Sequence, residues 1–400
     1  MGEGAVGSHA GFLKARPSRD EEGHMTRFGM LSTYPPTRCG LATFTRSLEA
    51  ALEARGDTTV IVRSLEDAST DRGARTIRGH SPAAELIAGD PASMRRAVAA
   101  LDSCDAAIVQ HEYGIYGGPD GDEVVTVLRR LEVPAIVVLH TVLPSPSAHQ
   151  RTVLEDVCAS AASVVVMTQN ARSVLLATYR VAPSKVVVIP HGVATVHTPD
   201  ATAPRMPRKR LLTWGLISRG KGLEWAIRAM GLLRDFDVEY VIAGQTHPKV
   251  RAAEGEVYRE HLRALVAELG LADRVVFDDR YLDARELGRL VGTADVVVLP
   301  YESTEQATSG VLAEAVAAGL PVVATGFPHA VELLSGGAGL IARHADPDSI
   351  AAGVRTILDS DDIVQRMRRT AAQGTTSPAW PAVADQYRRL AHAALARRAA

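Results

Sequence analysis

A chain of 400 residues exceeds what one ordinary hydrophobic core fills, so two domains are expected. With 46% hydrophobic residues, 22% charged residues and a formal net charge of −2, the composition excludes chain-wide disorder and a broad nucleic-acid surface. Cys39, Cys104 and Cys158 lack C-x-x-C spacing, which speaks against a disulfide framework or a zinc site, and no apolar run reaches the ~18 residues of a membrane-spanning helix; a cytoplasmic protein with no metal and no integral membrane segment is expected.

Residues 1–24 lack an apolar core and read as a disordered tail ahead of Met25. Strands are then expected at Arg27–Ser32, Thr59–Arg63, Ala106–Gln110, Ala135–His140, Ser163–Thr168 and Lys185–Pro190, alternating with helical patterns. This alternation predicts a doubly wound parallel sheet over residues 25–198. Turn formers and prolines give a linker at 199–209. A second series follows over 210–375, with strands at Arg210–Trp214, Glu239–Ala243, Arg274–Asp278, Asp295–Leu299, Pro321–Ala324 and Gly339–Ala342. The fold class is therefore α/β, two Rossmann-like domains facing an interdomain cleft, and an amphipathic closing helix occupies 376–400.

Ligands of such sheets bind beyond the carboxyl ends of the strands, and the polar motifs of this chain follow strands. After the first strand, Gly40 opens a helix whose free N–H groups suit a phosphate or a sugar hydroxyl. A G-x-G-x-x-G fingerprint is absent, which weakens a dehydrogenase reading. His111, with Glu112 beside it, and His140 end successive strands, and no third ligand at metal spacing accompanies them. In the second domain Arg219 and Lys221 flank Gly220 before a helix, a concentration of positive charge suited to a diphosphate. Last comes QATSGVLAEAVAAGLP, Gln306 to Pro321, in which Thr308, Ser309, Gly310 and Val311 present hydroxyls and amides at a helix start. Glu314 lies one turn further in, where a carboxylate could accept both hydroxyls of a ribose.

Through these motifs, from about Arg27 to the end, the chain resembles a family 4, group 1 glycosyltransferase of the GT-B fold. The specific residues are GxxxxxKG at Gly215–Gly222, AGQ at Ala243–Gln245 and the Gln306–Pro321 block, joined more loosely by Gly40, His140 and the IPHGV turn at Ile189–Val193. The resemblance implies a retaining enzyme that moves a hexose, mannose or glucose, from a nucleoside diphosphate sugar to a hydroxyl acceptor, with no required metal and no other cofactor. It implies a donor held mainly by the second domain, through Gln306, Thr308, Ser309, Gly310, Val311 and Glu314 with Gly40 joining from the first, and an acceptor held by the first, through Tyr34, His111 and Glu112. Arg219 and Lys221 would neutralise the leaving diphosphate and His140 would face the transferring sugar. The family's glutamate eight residues before Glu314 is here Gln306, with Glu305 beside it, and the arginine expected after Gly215 is Leu216. A non-catalytic nucleotide-sugar-binding protein, or an epimerase or phosphorylase of the same fold, is the alternative.

Overall fold

The computed structural model describes residues 25–67, 81–194, 208–373 and 377–399, so the expected tail over 1–24 and the expected linker up to residue 207 lie outside the described residues. The first domain runs β1 Arg27–Ser32, α1 Gly40–Glu53, β2 Thr58–Leu65, β3 Ala84–Ile87, α2 Pro91–Asp102, β4 Ala106–His111, α3 Glu123–Arg130, β5 Ala135–Leu139, α4 Ala148–Ser160, β6 Ser163–Val166, α5 Gln169–Thr178 and β7 Val186–Val188. The second runs β8 Lys209–Trp214, α6 Leu223–Gly231, β9 Val238–Ala243, α7 Pro248–Glu254, α8 Val257–Glu268, β10 Val275–Asp278, α9 Ala284–Val291, β11 Val296–Leu299, α10 Gly310–Ala317, β12 Val322–Thr325, α11 Pro328–Leu334, β13 Gly339–Ala342, α12 Pro347–Leu358 and α13 Asp361–Gln373. The last helix is α14, Trp380–Ala399.

Both sheets are parallel throughout, in the orders β3-β2-β1-β4-β5-β6-β7 and β10-β9-β8-β11-β12-β13. The expected strands are all present, and the four-residue β3 is an addition. Helices cover both faces of each sheet, so the strands are apolar on both sides: Met30 and Ile108 point to one core, Leu31 and Val109 to the other. Each fully buried apolar side chain of these layers contributes about 1.5–3 kcal/mol. Helix starts follow local chemistry, with Asp90 and Asp346 capping helices that begin on proline, and Ser147 with Gln150 and Asp283 with Glu286 forming capping boxes.

The strand order reverses between β1 and β4 in one sheet and between β8 and β11 in the other. These are the positions at which an open α/β sheet leaves a crevice for ligand. The loop from β1 to α1, the turn after β8 and the long loop from β11 to α10 therefore all open into crevices.

The closing helix α14 does not stay with the second domain. Val383, Ala384, Tyr387 and Ala391 are buried with Phe44, Leu48, Ala51 and Leu52 of α1. Arg55 pairs with Asp385 at 2.7 Å and Arg388 with Asp57 at 2.9 Å. Ahead of the helix, Val193 donates to the Pro378 carbonyl at 3.0 Å and Trp380 donates to the Val193 carbonyl at 3.2 Å, a short parallel bridge between two crossings of the chain.

Candidate functional site

The start of α10 is built so that two amides stay unpaired. The Ser309 hydroxyl accepts from Leu312 N, and Ser309 N donates to His329 Nδ1 at 2.8 Å. Ala313 N closes the first helical bond on the Ser309 carbonyl. Among the described residues the N–H groups of Gly310 and Val311 have no partner, at the positive end of the helix dipole. Just before them Gln306 donates its side-chain amide to the Thr308 carbonyl at 3.1 Å, which leaves its side-chain oxygen as an acceptor. Glu305 is exposed on the same loop.

One turn into α10, a Glu314 carboxylate oxygen accepts from Trp214 Nε1 at 3.2 Å. Burial raises the Glu314 pKa and the indole bond lowers it, with burial the larger effect. Beside them the turn after β8 is tied to the β11–α10 loop, because Glu302 N donates to the Gly220 carbonyl at 2.9 Å. Gly222 is required there: its φ is +61°, and a Cβ would come within 2.0 Å of the Pro300 carbonyl oxygen. Lys221 carries its ammonium 3.9 Å from the centre of the Tyr301 ring. Arg219 does not join it. Its guanidinium pairs with Glu254 at 3.2 Å and lies over the Tyr258 ring.

The first domain supplies the facing wall. A side chain at Gly40 would meet open space, so a ligand has access to the backbone at the start of α1, where Cys39 Sγ accepts from Ala42 N. His140, just beyond β5, shares a 2.7 Å hydrogen bond through Nε2 with the side-chain oxygen of Gln110. That oxygen only accepts, so Nε2 carries the proton. Burial, with smaller contributions from His191 and His111, lowers the His140 pKa to about 3. Phe44 of α1 makes edge contacts with His140 at 5.0 Å, His191 at 5.2 Å and Trp380 at 4.9 Å between ring centres.

The three expected acceptor residues are buried or half-buried within the first domain. The Tyr34 ring is buried and its hydroxyl donates to Glu49 of α1 at 2.6 Å, so that hydroxyl is occupied inside the domain. His111 is 1% exposed, with both ring nitrogens unpaired and its pKa lowered to about 4 by burial. The Glu112 carboxylate accepts from Tyr113 N and from the Thr141 hydroxyl, and burial raises its pKa.

The domains touch through polar contacts around these groups. Arg38 donates to the Gln245 side chain at 2.6 Å and lies over the Tyr281 ring, and Lys249 pairs with Glu66 and donates to the Gly114 carbonyl at 2.8 Å. Thr168 donates to the Ala307 carbonyl at 3.3 Å, while Glu332 of α11 accepts from Gln169 N and Asn170 N at the start of α5. Trp214, His329, Thr168 and His191 were not singled out as site residues by the sequence. Trp214 stands 100 residues from Glu314, and His329 stands 20 residues from Ser309, so neither carries a local signal. Among the described residues no group of three His, Cys, Asp or Glu side chains is placed to hold a metal ion, and no helix is long and apolar enough to cross a membrane.

Residues 39–197 match the family model described as Glycosyltransferase Family 4, and residues 208–360 match Glycosyl transferases group 1. A D-inositol 3-phosphate glycosyltransferase of Corynebacterium efficiens is 30% identical over 264 residues, 60% of this chain and 59% of the relative. A glycogen synthase of Mycobacterium tuberculosis is 31% identical over 202 residues, 48% of this chain and 45% of the relative. The matched part thus spans about half to three fifths of these relatives' length. In fold, the chain resembles sucrose-phosphate synthase from Thermosynechococcus elongatus, with a TM-score of 0.73 and 18% identity over 93% of this chain and 100% of that one. It also resembles Anabaena HepE in complex with UDP and glucose, with a TM-score of 0.71 and 15% identity over 91% and 98%.

Proposed function

Because the chain belongs to the group 1 glycosyltransferases of family 4, with the GT-B fold, we propose that it transfers a hexose, glucose or mannose, from a nucleoside diphosphate sugar to a hydroxyl acceptor, with retained configuration and without a metal. The observation that carries this reading is the pair of unpaired amides at Gly310 and Val311 with Glu314 one turn further in. That arrangement fits a diphosphate followed by a ribose. Charge builds on the diphosphate as the glycosyl bond breaks, so the two amides and the Lys221 ammonium stabilise the leaving group. The acceptor hydroxyl attacks on the same face and its proton passes to the departing phosphate oxygen, which dispenses with a protein base.

Purified protein should hydrolyse or transfer from a nucleotide sugar, and Lys221→Ala should reduce turnover about 100-fold or more while the protein stays folded. Undiminished turnover in that variant would sink the assignment. A second reading is a protein that binds nucleotide sugars without turning them over. It is favoured by Gln306 in a carboxylate's place and by the engagement of Arg219 with Glu254. Turnover by the unaltered protein that vanishes in Lys221→Ala excludes it.

A further inference from the structure

His191 belongs to the first domain, yet its ring lies against the first residue of α10 in the second. A Cβ on Gly310 would stand 3.0 Å from His191 Nε2 and 3.2 Å from Cε1, so the imidazole edge bearing Nε2 faces the helix start. The ring is fixed from three other sides. Its Nδ1 is 2.7 Å from the Gly192 carbonyl, and the Phe44 and Trp380 rings meet it edge-on at 5.2 and 5.6 Å. Trp380 in turn sits so closely on Gly192 that a Cβ there would come within 2.4 Å of the indole.

This packing decides what His191 offers. The Gly192 carbonyl only accepts, so Nδ1 carries the proton and the neutral ring presents a lone pair at Nε2. No group of the protein among the described residues donates to it. Burial lowers the His191 pKa to about 4, which keeps the ring in that form at neutral pH. A lone pair has nothing to share with a diphosphate oxygen, itself an acceptor. Its partner must bring an O–H; on a nucleoside diphosphate sugar the ribose and the hexose carry these, and the ribose goes to Glu314 one turn further in, which leaves the hexose hydroxyls for His191.

We propose that His191 is a specificity-determining residue of the donor site, its Nε2 accepting a hydroxyl of the transferred hexose across the start of α10. The proposal rests on the nucleotide-sugar reading and adds a first-domain residue that recognises the sugar, where Gly310, Val311 and Glu314 recognise the nucleotide. It also gives Gly310 a reason to be glycine, since a methyl group there would press on the ring.

The experiment is calorimetric titration of UDP, GDP and ADP, and of UDP-glucose, GDP-mannose and ADP-glucose, into the intact chain and into His191→Leu and His191→Gln. The quantity read is the affinity for the sugar conjugate relative to that for its nucleoside diphosphate. His191→Leu should lower that ratio about tenfold, the worth of one well-made hydrogen bond, and leave nucleoside diphosphate affinity within about twofold. His191→Gln, whose side-chain oxygen reaches about as far as Nε2, should keep the ratio within about threefold of the unaltered protein. An unchanged ratio in His191→Leu overturns the proposal, as does an equal loss of nucleoside diphosphate affinity or a His191→Gln variant as impaired as His191→Leu. If the unaltered protein binds none of the six ligands, the nucleotide-sugar reading itself falls and takes this inference with it.

Discussion

Glu314 is useful only as a carboxylate, and its half-buried position works against that state. The bond from Trp214 Nε1 supports the charged form but does not outweigh burial. Nucleotide affinity should accordingly weaken as pH falls, beginning above the range of an ordinary glutamate, because the protonated acid accepts fewer hydrogen bonds from a diol. Glu314→Gln keeps an oxygen for Trp214 and should fold, with nucleotide affinity down about tenfold by calorimetry. Equal affinity in that variant would remove Glu314 from the ribose role. At this scale the sequence discloses which polar residues follow strands and little about what they touch. Arg219 and Lys221 look alike in a turn one residue apart, and the packing alone separates them: Lys221 rests on Tyr301 in the crevice, while Arg219 turns to Glu254 and Tyr258.

Helix α10 shows why the motif around it was legible. A serine cap, a glycine at the first turn and a short apolar strand ahead of them are local features, and local features survive in sequence. Gly310→Ala tests the packing that sequence could not supply. In an open helical site the change is stabilising by up to about 1 kcal/mol. Here the new methyl group meets His191, so no rise in melting temperature is expected and nucleotide-sugar affinity should drop. Strand β3 gives a weak signal because Ala84–Ile87, only four residues long, carries a charged residue, Glu85, in its middle. The periodicity of α14 announces a helix and a buried face, but both domains offer apolar surfaces, so its destination on α1 depends on geometry. Tyr387 is fully buried in that interface and its hydroxyl has no partner. Tyr387→Phe should therefore raise stability, by about 1 kcal/mol in urea unfolding, and a clear loss would mean that the hydroxyl is satisfied in solution.

Across the whole molecule, neutral histidines gather between the domains. His111, His191 and His329 are pushed down to about 4 and His140 to about 3, in each case chiefly by burial. The folded chain thus refuses protons that the unfolded chain accepts from about pH 6.5 downward. Their contribution to stability is complete above that value and is lost progressively as pH falls toward about 4, by at most about 1.4 kcal/mol per pH unit for each ring. The urea midpoint should decline between about pH 7 and about pH 5, before most carboxylates titrate. A flat midpoint over that interval would mean the rings titrate as free histidines.

The bridge between Val193 and Ala379 ties the chain that leaves the first domain to the chain that returns to it. Both strands of it are anchored on the same side, since Trp380 packs against Phe44 and Gly192 and α14 lies on α1, so a displacement of the second domain leaves the bonds from Val193 N to Pro378 and from Trp380 N to Val193 intact. His191, two residues from the bridge, is held by the same packing, so it reaches Gly310 from a fixed first-domain mount. The contacts of Arg38 with Gln245 and of Lys249 with Glu66 and Gly114 cross between the domains, and they are the ones that such a displacement would part.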